Sequence, residues 1–127
     1  MVQCLFREPK FPLVCDADGF LVAATSLRDF SAQVAVLDLP PDANLPVVDA
    51  SAEGWVFNTQ YQLLSPLTLK KRWTKKEVIA LFNGSSAARK LGGKYSERSL
   101  SAKRFDRILS EIVKLIRAAN KSSEVTP

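Results

Sequence analysis

The sequence contains no histidine. That single absence removes the Ser-His-Asp and Cys-His arrangements that most often activate a nucleophile, and with them every mixed Cys/His metal site. The two cysteines, Cys4 and Cys15, are too few for a Cys-only zinc site or a disulfide framework. Reduced thiols in or near a core are expected for both. No apolar run approaches the roughly 18 residues of a membrane span, so no membrane partner is expected. The opening residues MVQCLFREPKF lack a basic lead followed by a long apolar core, and the expectation is a cytoplasmic protein without a signal peptide. Neither G-x-x-x-x-G-K-[ST] nor G-x-G-x-x-G occurs, which leaves no known nucleotide-binding loop. No cofactor and no metal are expected.

What the chain does contain is a division of charge. Residues 1–69 hold three basic and eight acidic residues, a net of −5, whereas residues 70–127 hold fifteen basic and five acidic, a net of +10. Asymmetry of this size between halves points to an anionic partner such as nucleic acid. At 127 residues, 46% hydrophobic and 24% charged, the composition is that of one ordinary globular domain. The boundaries expected are a single α+β domain over 1–121, divided into an acidic strand-rich half (1–69) and a basic helical half (70–121), with a flexible tail at 122–127.

The first half reads as short strands and turns. FPLVC-DADG-FLVAA (11–24) and PVVDA-SAEG-WVFN (46–58) each place a turn cluster between β-prone runs, which predicts two hairpins. VAVLDL (34–39) reads as a further strand stopped by Pro40-Pro41, SLRDF (26–30) as a single helical turn, and 61–64 as a last strand ended by Pro66. The expected fold is therefore an antiparallel sheet of about four to six short strands followed by two or three helices. Asp16-x-Asp18-Gly19 resembles the start of a calcium loop but lacks its later ligands, so a turn is expected. Asp49 and Glu53 flank a hairpin and are not expected to handle a substrate. Trp55, Phe57 and Tyr61 alternate along an extended segment, the pattern of a core face.

Helix signals dominate the second half. Thr74 and Glu77 form a capping box, Trp73 and Val78 a hydrophobic staple, and Gly84 a stop, which predicts a helix over 75–83. SSAARKL (85–91) adds one or two turns before Gly92-Gly93. From Ala102 to Ala119, apolar residues at 105, 108, 109, 112, 113, 116 and 119 form one stripe of a long helix. Lys103, Arg107, Lys114, Arg117 and Lys121 fall on its opposite side, with Glu111 spaced to pair with Arg107 and Lys114.

Two basic clusters precede that helix. Lys70, Lys71, Arg72, Lys75 and Lys76 surround a helix N-terminus, where the macrodipole disfavours cations; backbone N–H groups and ammonium groups together suit a phosphate there. Arg89, Lys90, Lys94 and Arg98 surround the paired glycines, for which a helix stop is the simpler role. Ser99 and Ser101, in a basic context, are conceivable phosphorylation sites. RWTKKEVIAL (72–81) resembles the first helix of a Myb or SANT-type repeat in its Trp, Thr cap and early Glu. The likeness covers ten residues, and the second and third tryptophans of that repeat have no counterparts. It implies a helix-turn-helix-like arrangement, with groove contacts from 85–91 or from Lys103, Arg104 and Arg107.

These features favour a non-enzymatic protein whose basic half binds nucleic acid, DNA or RNA, or another polyanion. The contacts expected are Lys70, Lys71, Arg72, Lys75, Lys76, Arg89, Lys90, Lys103, Arg107, Lys114 and Arg117, with no catalytic residue among them. The alternative is a protein–protein adaptor or homo-oligomer that docks through its opposed charges. An enzyme is the least expected class.

Overall fold

A computed structural model describes the backbone of residues 1–67, 72–96 and 102–125, with side chains as far as Lys121. Asp18 and Gly19 both adopt positive φ, 55° and 91°, the two-residue turn whose twist matches a β-hairpin. Gly19 N–H donates to Asp16 Oδ1 at 2.8 Å, so the acidic loop is a turn, as its sequence suggested. The turn joins β2 (Leu13–Ala17) to β3 (Phe20–Ala24). The second expected hairpin is also present, β4 (Asn44–Val48) against β5 (Gly54–Asn58), and β5 continues into β6 (Leu63–Pro66). A two-residue strand that the sequence did not signal, β1 (Gln3–Cys4), pairs with β6 in parallel. The sheet is therefore mixed, in the order β1-β6-β5-β4-β2-β3.

The segment 26–39 departs from expectation. The single turn at 26–30 and the strand at 34–39 are replaced by one helix, α1 (Leu27–Ala35). Ser26 caps it by accepting from Asp29 N–H at 3.0 Å. Phe30 and Val34 are buried, one helical turn apart, while Val36 is 83% exposed. The alternation that suggested a strand is thus broken one residue past the helix. Phe30 meets Phe57 edge to face, centroids 5.0 Å apart.

Three helices follow the sheet: α2 (Lys75–Asn83), α3 (Ser86–Leu91) and α4 (Phe105–Val125). Thr74 and Glu77 make the expected capping box, and Trp73 shares a core cluster with Val78. α4 runs past Lys121, through the first residues of the expected tail. Its apolar stripe is buried as predicted; Ile108, Leu109, Ile112 and Ile116 are at most 1% exposed. Each such side chain stabilises the fold by about 1.5–3 kcal/mol.

Alternation along the strands sends the two cores to opposite faces. Leu13, Cys15, Val22, Val47, Trp55, Phe57 and Leu64 join α1, whereas Val14, Leu21, Ala23 and Val48 join α2, α3 and α4. On this second face the helices pack against β2 and β3. The same face of β4, β5, β6 and β1 carries Pro46, Val56, Ser65, Asn58, Leu63 and Gln3 in register, none of them charged.

The sheet edges differ. On β3, Gly19 O accepts from Ser86 N–H (3.0 Å), Leu21 O from the Asn120 side chain (3.2 Å), and Ala23 O from both Gln33 (2.8 Å) and Arg117 (3.1 Å). At β1, Leu5 N–H donates inward to Leu64 O and Val2 N–H is taken by Ser31 Oγ of α1. Just beyond β1, Arg7 N–H closes on Leu5 O at 2.8 Å with Phe6 at φ 71°. This is the rarer hand of γ-turn, a strain on the order of 1–3 kcal/mol for a residue with a Cβ.

Candidate polyanion interface

Position and partners decide what each basic residue can do. Lys70 and Lys71 lie outside the described residues, as do Arg98, Ser99 and Ser101. Arg72 forms a β-bridge with Glu53 and donates to Ser51 O at 3.1 Å, so it docks the start of α2 onto the β4–β5 connection. Glu77 reaches back to accept from Thr74 N–H at 3.0 Å. The helix N-terminus therefore already holds a carboxylate, which offsets the dipole that Lys75 and Lys76 oppose. Lys75 is half-buried there and Lys76 exposed.

Gly92 caps α3 at φ 68°, its N–H and that of Gly93 turned back on Arg89 O and Ala88 O. Those amides close the helix. Arg89 and Lys94, with Asn83 and both glycines, line a recess of about 240 Å³; Arg89 also reaches Gly84 O at 3.4 Å. Lys90 is exposed on the same short helix.

On α4 the stripe divides into held and open cations. Glu111 accepts from Lys103 Nζ and Tyr95 Oη, each at 2.7 Å, and from Arg107 Nε at 3.3 Å. The Lys103 hydrogen bond, then those of Tyr95 and Arg107, hold the Glu111 carboxyl down at about 2. The same bond raises the pKa of Lys103. Glu111 thus takes Lys103 and Arg107; Lys114, expected as a partner, instead stands exposed. Tyr95 is itself anchored, its N–H on Asn83 Oδ1 at 2.7 Å.

Arg117 is turned inward. It meets Asp29 Oδ2 at 2.6 Å while donating to Ala23 O. Burial works against the Asp29 charge, but hydrogen bonds from Thr25, Gln33 and Arg117 outweigh it and its pKa is lowered. No spacing rule connects residues 88 positions apart, so sequence reasoning had no signal for this pair.

Lys76, Lys90, Lys94, Lys114 and Lys121 are exposed and form no ion pair with a described acid. Arg107, Lys114 and Lys121 recur at seven-residue steps, about 10.5 Å apart on a helix. The acidic half has spent several of its charges internally. Asp49 is 1% exposed and accepts from Trp55 Nε1 and from the N–H groups of Lys10, Ser51 and Glu53. Glu53 holds Arg7 in a two-pronged ion pair. Both carboxylates are fixed by folding contacts.

Burial raises the Cys15 thiol to about 12, and raises Cys4 to a lesser degree, so neither is poised as a thiolate at neutral pH. Among the described residues, no three His, Cys, Asp or Glu side chains gather as a metal site and no helix is long and apolar enough to cross a membrane. Compared with protein-family models, curated proteins and solved structures, the chain gives no significant match.

Proposed function

We propose that this is a non-enzymatic binding protein that engages nucleic acid, or another polyanion, through the solvent side of its helical layer. One observation carries the reading: Lys76, Lys90, Lys94, Lys114 and Lys121 project from that layer without a described acidic partner. Flexible, hydrated ammonium groups of this kind suit contacts to a phosphate backbone, which position a protein without reading sequence. Lys103, Arg107 and Arg117 serve mainly to hold the fold, and Arg107 adds charge to the rim of the stripe.

Titration of labelled single- and double-stranded DNA and RNA at several salt concentrations tests the proposal. Log affinity is expected to fall linearly with log salt, by about 0.9 per phosphate contact on duplex DNA and about 0.7 on single strands. Lys90→Ala and Lys114→Ala each reduce that slope by about one contact. Absence of binding at low salt overturns the reading.

A further inference from the structure

Of the four asparagines in the chain, Asn83 alone is followed by glycine. Asparagine is one of the thermally labile residues, and a following glycine places no Cβ beside the next backbone nitrogen. In such a pair that nitrogen can attack the side-chain carbonyl carbon. The structure surrounds Asn83-Gly84 with restraints on each group that would react. Gly84 N–H, the attacking group, donates to Ala80 O at 3.0 Å as the last turn of α2 closes. Asn83 Nδ2, the leaving group, donates to Tyr95 O at 3.1 Å, and Asn83 Oδ1 accepts from Tyr95 N–H at 2.7 Å. Just beyond, Ser85 N–H donates to Phe82 O and Ser86 N–H to Gly19 O, each at 3.0 Å. The labile pair thus sits inside a closed clamp.

We propose that Asn83 is a modification site gated by folding, which converts to aspartate or isoaspartate only when the end of α2 parts from Tyr95, and which then cannot re-form the clamp. Gly84 N loses its proton and bonds to Asn83 Cγ; the Cγ–Nδ2 bond breaks, and Nδ2 leaves as ammonia with that proton. The resulting five-membered imide is opened by water at one of its two C–N bonds. Opening at Cγ gives aspartate, and opening at the main-chain carbonyl gives isoaspartate. In the closed chain the proton to be lost is held by Ala80 O and the departing amide by Tyr95 O. Conversion therefore follows the population of the locally open form. The product has no proton to return to Tyr95 O, because an ionised carboxylate only accepts. Isoaspartate also lengthens the backbone by one atom at the last residue of α2. Tyr95 donates to Glu111 and lies beneath the Lys103 ammonium, so a mark at Asn83 loosens the hold of residues 92–96 on α4.

The test follows Asn83 in the full chain at mildly alkaline pH by mass spectrometry of its proteolytic peptides, with and without denaturing urea. Conversion is expected in urea and should be slower by about 30-fold or more in the folded chain, the effect of two or three hydrogen bonds on the open population. Tyr95→Ala removes the side chain that pins the clamp to Glu111 and should speed folded-state conversion about tenfold. Tyr95→Phe keeps the ring and loses only the hydroxyl, for an effect of about threefold. Val36→Ala, on the exposed end of α1, should leave the rate as it was. A chain converted in urea and returned to buffer should exchange its Tyr95 amide about tenfold faster than the unconverted chain. Equal rates in folded and denatured chains overturn the gate, as does a folded-state rate indifferent to both Tyr95 variants. Absence of conversion in urea overturns the site, and an undiminished protection of the Tyr95 amide after conversion overturns the one-way mark. The inference does not rest on polyanion binding, whose salt titration reads out separately.

Discussion

The two edges of one sheet are finished by different chemistry. At β3 the outward carbonyls of Gly19, Leu21 and Ala23 are met by a helix N–H, an amide and a guanidinium. At β1 Ser31 of α1 takes Val2 N–H, and the chain just beyond exposes Leu5 and a strained Phe6. The difference teaches that edge protection here is a product of the helices: three of them meet the carbonyls of β3, whereas at β1 the contribution is that of Ser31 of α1. The opposite edge lies next to a sheet face that carries Val56, Leu63, Asn58 and Gln3, none of them charged.

Unseating α4 should break the contrast outright. Leu109 is fully buried, and Leu109→Ala is expected to cost about 2–5 kcal/mol in urea unfolding, with faster amide exchange in β3 as its cap loosens. Changes at the edges themselves should be smaller and of opposite sign. Arg117→Ala removes the donor shared by Ala23 O and Asp29; discounted for its half-exposed setting, the loss is about 1 kcal/mol. Phe6→Gly relieves the positive φ and should stabilise the monomer by up to about 1 kcal/mol. Equal signs in the two urea curves would erase the distinction between a working cap and a strained, exposed turn residue.

The smallest expected effect appears only in acid. Glu111 titrates at about 2 in the folded chain against an ordinary value of 4.5. Its folded pKa is depressed, so its contribution is present above pH 4.5 and lost as the pH falls towards 2. Thermal melts of Glu111→Gln should therefore show a shallower drop between pH 5 and pH 2 than wild type, each normalised to its own value at pH 7. A parallel acid limb would mean that Lys103, Tyr95 and Arg107 do not hold this carboxylate.

Much of the fold was legible because its signals are local. The Thr74–Glu77 box, the Asp18-Gly19 turn and the stripe from Phe105 to Ala119 each lie within a few residues or a single period. Helix α1 was misread because Val34, Val36 and Leu39 mimic other periods, while its decisive contact, Phe30 on Phe57, is made across the sheet. β1 escaped notice because two residues carry no periodicity at all. Among the cations, the sequence signalled one held residue, Arg107, by its four-residue spacing from Glu111. That Lys103 and Tyr95 converge on the same carboxylate, and that Arg117 is claimed by Asp29 of the other half, had no local signal.

The sequence by itself determined the acidic and basic halves, the absence of histidine chemistry, the hairpins and the three C-terminal helices. These follow from composition and from short-range backbone preference, which act without knowledge of distant residues. Only the tertiary structure decided which charges cancel, which edge is capped and that Phe6 faces water in a strained turn. Those outcomes depend on groups brought within about 3 Å of each other by the packing of a whole layer, a distance at which hydrogen bonds form and which no spacing along the chain encodes.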